Sequence, residues 1–242
     1  MPISNRDTLT PLPTPPLDRY QALFKPLLIG LVAVLLTLAF VYLGSEVNEG
    51  DTRSFDTHLL RNAQSLRVSR PWVAEVMRDL SGLGSTVVLG LFTLATVGYL
   101  VLIRARTTAL LVATSIITGS VLIGVFKATF GRLRPDAAFA ELLVQGLSFP
   151  SGHASMSALV FLTLGALIAS TRNYLAERTY IFVTATLMTV LVGVSRVALG
   201  VHWATDVLGG WAFGTAWALV WLLLARQLAR TDSGRLRPRA GQ

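Results

Sequence analysis

Six stretches of this chain, at 27–43, 83–103, 107–126, 154–170, 179–194 and 207–225, contain no Asp, Glu, Lys, Arg or His. A helix that crosses the hydrocarbon of a bilayer takes about 20 predominantly apolar residues, so these runs predict six transmembrane helices. Gly, Ser and Thr recur inside them, as at Gly119 and Ser120, and small residues let helices pack closely in lipid. The fold class that follows is all-α: a polytopic bundle of six transmembrane helices. The first run resembles the apolar part of a signal peptide. It begins only after 26 residues, however, and ends in "VYLGSEVNEG" without a small-residue cleavage pattern, so it reads as an uncleaved anchor.

Composition supports a membrane chain and excludes other classes. Of 242 residues, 52% are hydrophobic and 14% are charged, where a soluble domain carries roughly 25% charged residues. The net charge of +8 is spread between the apolar runs instead of forming polar basic patches, which argues against nucleic acid as a partner. There is no cysteine, so disulfides, thiolate metal sites and cysteine nucleophiles are ruled out.

Six spans put both termini on one side of the membrane, together with the 104–106 and 171–178 loops. That side holds 12 basic and 4 acidic residues, the opposite side 9 of each. Lys and Arg resist translocation, so the termini are predicted to be cytoplasmic in a plasma (bacterial inner) membrane. Residues 1–26, with "TPLPTPP", read as a disordered leader, 27–225 as the membrane domain and 226–242 as a basic cytoplasmic tail. On the opposite, extracytoplasmic side, residues 44–82 are too long for a structureless loop. "FDTHLLRNAQSL" and "WVAEVMRDLSGL" have helical apolar spacing there and predict short helices on the membrane surface. His58, in the first of them, is assigned no catalytic role.

Three segments on the extracytoplasmic side carry chemistry: "KATFGRLRP" (127–135), "FPSGHAS" (149–155) and "SRVALGVHWATD" (195–206). Each abuts a span, so all three are expected to meet where helix ends reach water. Phosphoryl transfer needs the anion bound, its spreading charge stabilised, an attacking group and a proton for the leaving oxygen. Lys127, Arg134 and Arg196 suit the first two needs, Arg through a planar fork of donors and Lys as a mobile point charge. "PSGH" before a span suggests a helix start, whose free N–H groups and dipole favour anions, with Ser151 and Gly152 at the opening turn. His153 then lies beside a bound phosphate as a proton donor. His202 and Asp206 are four residues apart and share a helix face. The carboxylate would fix the imidazole tautomer and leave the other nitrogen to attack. Singly, each element also has a structural reading: a helix cap for "PSGH", snorkelling anchors for Lys127 and Arg134, a helix pair for His202 and Asp206. Their conjunction on one predicted face favours chemistry.

Together these residues resemble the type 2 phosphatidic acid phosphatase superfamily, membrane lipid phosphatases related to acid phosphatases and vanadium haloperoxidases. Its three motifs are matched without departure by Lys127 with Arg134–Pro135, by Pro150–Ser151–Gly152–His153, and by Ser195–Arg196 with His202 and Asp206. The resemblance covers about residues 75–225. It implies a six-helix bundle with its site at the outer surface, His202 as a nucleophile that becomes phospho-histidine, Asp206 orienting it and His153 as general acid. Lys127, Arg134, Ser151, Gly152 and Arg196 would hold the phosphate. The family works without a metal or cofactor. Asp136 and Ser195 border the motifs and are given no more than a supporting place. The expected substrate is a membrane lipid phosphate or pyrophosphate: undecaprenyl pyrophosphate, phosphatidylglycerol phosphate or phosphatidic acid, with a polyprenyl pyrophosphate or a broad range favoured by analogy. An anion transporter or channel and a vanadate-dependent haloperoxidase are the alternative readings, and oligomeric state is left open.

Overall fold

The computed structural model describes residues 17–142 and 144–235. The proposed leader therefore lies mostly, and the last seven residues of the basic tail wholly, outside the described residues. Among those described, every regular element is helical: α1 (Leu17–Glu49), α2 (Arg53–Ser69), α3 (Trp72–Gly82), α4 (Thr86–Leu102), α5 (Arg106–Phe130), α6 (Gly152–Ser170), α7 (Leu175–Ala198) and α8 (Ala204–Arg235). A single 3-10 turn, Ala137–Phe139, lies in the α5–α6 connection. Six helical stretches are long and apolar enough to cross a membrane: Phe24–Glu49, Trp72–Leu102, Arg106–Phe130, Gly152–Ser170, Leu175–Ala198 and Ala204–Ala229.

These stretches match the six apolar runs in number and order, but boundaries differ, the second stretch beginning at Trp72 instead of residue 83. Helix α1 starts at Leu17, inside the segment expected to be a disordered leader, and α8 runs on to Arg235 inside the expected tail. Apolar composition marks the part of a helix that meets lipid; the helix itself runs on beyond it, in α1 across Pro26, which removes one ladder hydrogen bond without ending the helix. The other difference concerns α3. Its apolar spacing is correct, yet Val73 and Ala74 are buried and the helix packs against α7. A periodic apolar face specifies burial and is silent about whether lipid or a second helix does the burying. Ser85 then separates α3 from α4, its Oγ accepting the Val88 N–H at 3.3 Å as an N-cap.

Helices α6 and α8 form the centre, with α1, α5 and α7 around them. Their contact depends on small residues. A Cβ built on Gly214 would stand 2.2 Å from the Ser155 carbonyl oxygen, and one on Gly210 2.9 Å from that of Ser151. The Gly210–Gly214 spacing is the small-xxx-small pattern that brings membrane helices together in van der Waals contact. It also holds the first turn of α6 against the first turns of α8, where Ser151, His153, His202 and Asp206 lie.

An aromatic cluster supports that end of the bundle from below. Phe40 of α1 packs against Phe126, Phe149 and Phe213 at centroid separations of 4.9, 5.6 and 5.7 Å. Phe149 is completely buried and immediately precedes "PSGH", so its burial anchors the turn into α6. The outward faces of α1, α4 and α5 are apolar, with Leu31, Leu38, Leu94, Ile117 and Val121 all exposed, as suits surfaces whose solvent is lipid.

Candidate active site

The α5–α6 connection begins where Gly131 takes a left-handed conformation at φ 59° and caps α5 through its N–H to the Lys127 carbonyl. Lys127 therefore sits in the last turn of α5, while Arg132 and Arg134 lie on the irregular segment beyond it. Lys127 Nζ donates to the carbonyls of Leu147 at 2.6 Å and Ser148 at 3.2 Å, stitching the end of α5 to the approach to α6. An ammonium has three donors, and these contacts use two. Arg134 donates through Nε to the Gly146 carbonyl at 3.1 Å and through Nη1 to the Val201 carbonyl at 2.8 Å. The same Nη1 lies 3.0 Å from Nε2 of His202.

Ser151 is the N-cap of α6, and its own N–H donates to the Asp206 carbonyl at 3.0 Å. The first turns of α6 and α8 are thus tied backbone to backbone. Gly152 and His153 follow in the opening turn of α6, where N–H groups lack intrahelical acceptors. Arg196, in the last turn of α7 and 4% exposed, donates through Nη1 to the Ser81 hydroxyl of α3. Its Nε is buried with no partner among the described residues. Arg196, His202, Arg134 and Lys127 all lie near enough to the His153 ring to act on it electrostatically, so all five belong to one neighbourhood.

His202 and Asp206 form the expected pair, with Nδ1 3.1 Å from Oδ2. The partners settle the tautomer. A guanidinium can only donate, so Nε2, facing Arg134, presents its lone pair, and Nδ1 carries the hydrogen that goes to Asp206. Burial pushes the His202 pKa down to about 4; the Asp206 hydrogen bond and charge oppose that, and Arg134 and Arg196 add to it. The ring is neutral at neutral pH. Burial also lowers the pKa of Arg134, with Asp206 acting in the other direction.

All eight residues singled out in the sequence converge at the ends of α5, α6, α7 and α8. Asp136 and Ser195 do not join them: Asp136 caps the 3-10 turn through the Ala138 N–H, and Ser195 Oγ donates to the Val192 carbonyl within its own helix. His58 is paired with Asn62 on the exposed side of α2. Sequence reasoning missed Arg132, Asp56 and Thr205. Arg132 Nη1 donates to Asp206 Oδ1 at 2.6 Å, and Nη2 to Asp56 Oδ2 at 2.7 Å. Asp56, fully buried, also accepts from Thr205 N at 2.9 Å and Thr205 Oγ1 at 2.6 Å. A signal for Arg132 did exist, since it lies inside the segment 127–135 that carries Lys127 and Arg134.

The chain is a membrane-spanning helical bundle that gathers cationic side chains around a His–Asp pair, and its residues 108–230 match the PAP2 superfamily. The chain belongs to that superfamily. It is 34% identical over 184 residues to phosphatidylglycerophosphatase B of Bacillus subtilis (strain 168), a match covering 75% of this chain and 88% of that protein. It is 31% identical over 117 residues to an undecaprenyl-diphosphatase of Sulfolobus acidocaldarius, across 46% of this chain and 52% of the relative. The fold also matches the crystal structure of the transmembrane PAP2-type phosphatidylglycerolphosphate phosphatase from Bacillus subtilis, with a TM-score of 0.71 and 28% identity over 86% of this chain and 98% of that one.

Proposed function

We infer that this chain is an integral membrane phosphatase that hydrolyses a lipid phosphate or diphosphate through a phospho-histidine formed at His202. The observation that carries the mechanism is the 3.0 Å contact between Arg134 Nη1 and His202 Nε2. It aims the imidazole lone pair at a guanidinium that donates to it in this structure, and an incoming phosphoryl group would take that donor onto its own oxygen and leave Nε2 free to attack. In the first step the Nε2–P bond forms, the P–O bond to the lipid breaks, and the leaving oxygen takes a proton from His153. In the second, His153 accepts a proton from water as that water attacks phosphorus, the Nε2–P bond breaks with its electron pair returning to Nε2, and inorganic phosphate leaves. Asp206 stabilises the imidazolium in between.

Lys127, Arg134, Arg196 and the opening turn of α6 at Ser151 and Gly152 hold the phosphate. The unpaired Nε of Arg196 supports this assignment, because a buried donor without a partner costs about 1–3 kcal/mol and a phosphate oxygen would supply one. Phosphatidylglycerol phosphate is the first substrate to try, because the relative named for it matches three quarters of this chain. Purified protein should release inorganic phosphate from at least one of phosphatidylglycerol phosphate, undecaprenyl pyrophosphate and phosphatidic acid. Silence toward all three, from protein that is folded in detergent, would remove the proposal.

The site faces the extracytoplasmic side and both termini the cytoplasm, with 27–225 as the catalytic unit. The supporting observation is the basic excess of the terminal side. The absence of cysteine makes a direct test available. A cysteine introduced at Thr52 should react with a membrane-impermeant maleimide in intact cells, and one at Thr171 only after permeabilisation. The reverse pattern overturns the orientation.

A further inference from the structure

The buried charges around Asp206 extend beyond the His–Asp pair. Asp206 is fully buried and uses both carboxylate oxygens: Oδ2 accepts from His202 Nδ1 at 3.1 Å and Trp203 N at 3.0 Å, and Oδ1 accepts from Arg132 Nη1 at 2.6 Å. Arg132 spans two carboxylates, its Nη2 reaching Asp56 Oδ2 at 2.7 Å. Its guanidinium also stands over the Trp203 ring, 5.3 Å from the centroid, within cation–π range. Asp56 completes the circuit by accepting both the N–H and the hydroxyl of Thr205, the residue beside Asp206. The result is a chain Asp56–Arg132–Asp206–His202 that links α2, the α5–α6 connection and the start of α8.

We propose that Arg132 and Asp56 are positioning residues for catalysis, holding Asp206 ionised and aimed so that His202 keeps its hydrogen on Nδ1 and its lone pair on Nε2. The proposal rests on His202 being the nucleophile. Neither residue touches the attacking nitrogen; both act through Asp206. A buried carboxylate without a cationic partner tends to take up a proton or turn toward another donor, and either change would release the imidazole. Asp56 has the same relation to Arg132: with its carboxylate in place, Arg132 carries two negative neighbours and is fixed by one charge-assisted hydrogen bond to each. Helix α2 lies ahead of the residues that match the superfamily, so a segment outside that match contributes to the geometry of the reacting pair.

The test uses the full-length protein in detergent, with kcat and KM measured on whichever lipid phosphate it turns over. Arg132→Lys keeps the charge but replaces the planar guanidinium, which sets one nitrogen on each carboxylate, with a single point charge that cannot reproduce both contacts in that geometry. It should lower kcat about 10- to 100-fold, the scale of one charge-assisted hydrogen bond, with KM close to that of the unaltered chain. In an Asp206→Asn background the same substitution should cost almost nothing, because groups acting as one unit are not additive. An unchanged kcat in folded Arg132→Lys, or an equal loss in both backgrounds, overturns the proposal. If Arg132→Lys does not fold, Asp56→Asn, nearly the same in shape, gives the same reading by the same kcat and KM comparison. His202→Ala is the control: if it stays active, the nucleophile assignment has failed; if it is inactive while Arg132→Lys has full activity, only the positioning role has failed.

Discussion

His202→Ala should lose at least about 10⁴-fold in phosphate release, the scale seen when an enzyme loses its nucleophile, while remaining folded. The fold should survive because the contacts of Asp206 outlast the imidazole: Oδ2 still accepts from Trp203 N and Oδ1 from Arg132. Among the described residues no other side chain is placed to take over. There is no cysteine, the Ser151 hydroxyl is engaged as the N-cap of α6, and His153 is assigned to the leaving oxygen. Because burial pushes the His202 pKa down to about 4, the nucleophile is already unprotonated at neutral pH. A second measurement identifies the covalent step. Brief exposure to substrate carrying labelled phosphate should leave an acid-labile, alkali-stable label on the unaltered chain and none on the variant. Turnover in His202→Ala within tenfold of the unaltered chain would end the nucleophilic assignment.

What could be read from the sequence divides along physical lines. Lys127, Arg134, His153, Arg196 and His202 were legible because each stands at the margin of a long apolar run, where a polar group needs a reason to be. Their assembly was legible because alternating spans bring those margins to one side. Helix ends were less legible, as α1 and α8 show: hydrogen bonding carries a helix past the point where apolar composition stops. Asp56 was hidden for a different reason. In a helix as polar as α2, periodicity assigns acidic residues to the outer face, and nothing local marks one that is turned inward. Its partner Arg132 lies 76 residues away in sequence, so only the tertiary structure discloses the pair. Arg67, on the same helix, is likewise buried and donates to the Ala198 and Phe139 carbonyls, a second inward-facing charge on what reads as a surface helix.

Asp206→Asn tests the other half of the reacting pair and should lower kcat about 10³- to 10⁴-fold, by analogy with the Asp-to-Asn change in Ser-His-Asp triads. The change is nearly isosteric, so the cause must be the pattern of donors. In this structure the groups that face the Asp206 carboxylate donate to it: Arg132 Nη1 and, at 3.5 Å, Ser148 Oγ to Oδ1, and His202 Nδ1 and Trp203 N to Oδ2. An amide has only one acceptor oxygen, so its NH₂ must face a donor on one side or the other. If the NH₂ turns toward Arg132, a buried donor loses its acceptor and the ion pair is lost. If it turns toward His202, the ring is driven to the tautomer with hydrogen on Nε2, which takes away the attacking lone pair. Arg132 keeps Asp56 in either case, so the helix ends should stay assembled and KM should change little. A loss shared equally between kcat and substrate affinity would mean that the pair serves only to cap α8, and the tautomer argument would have to be given up.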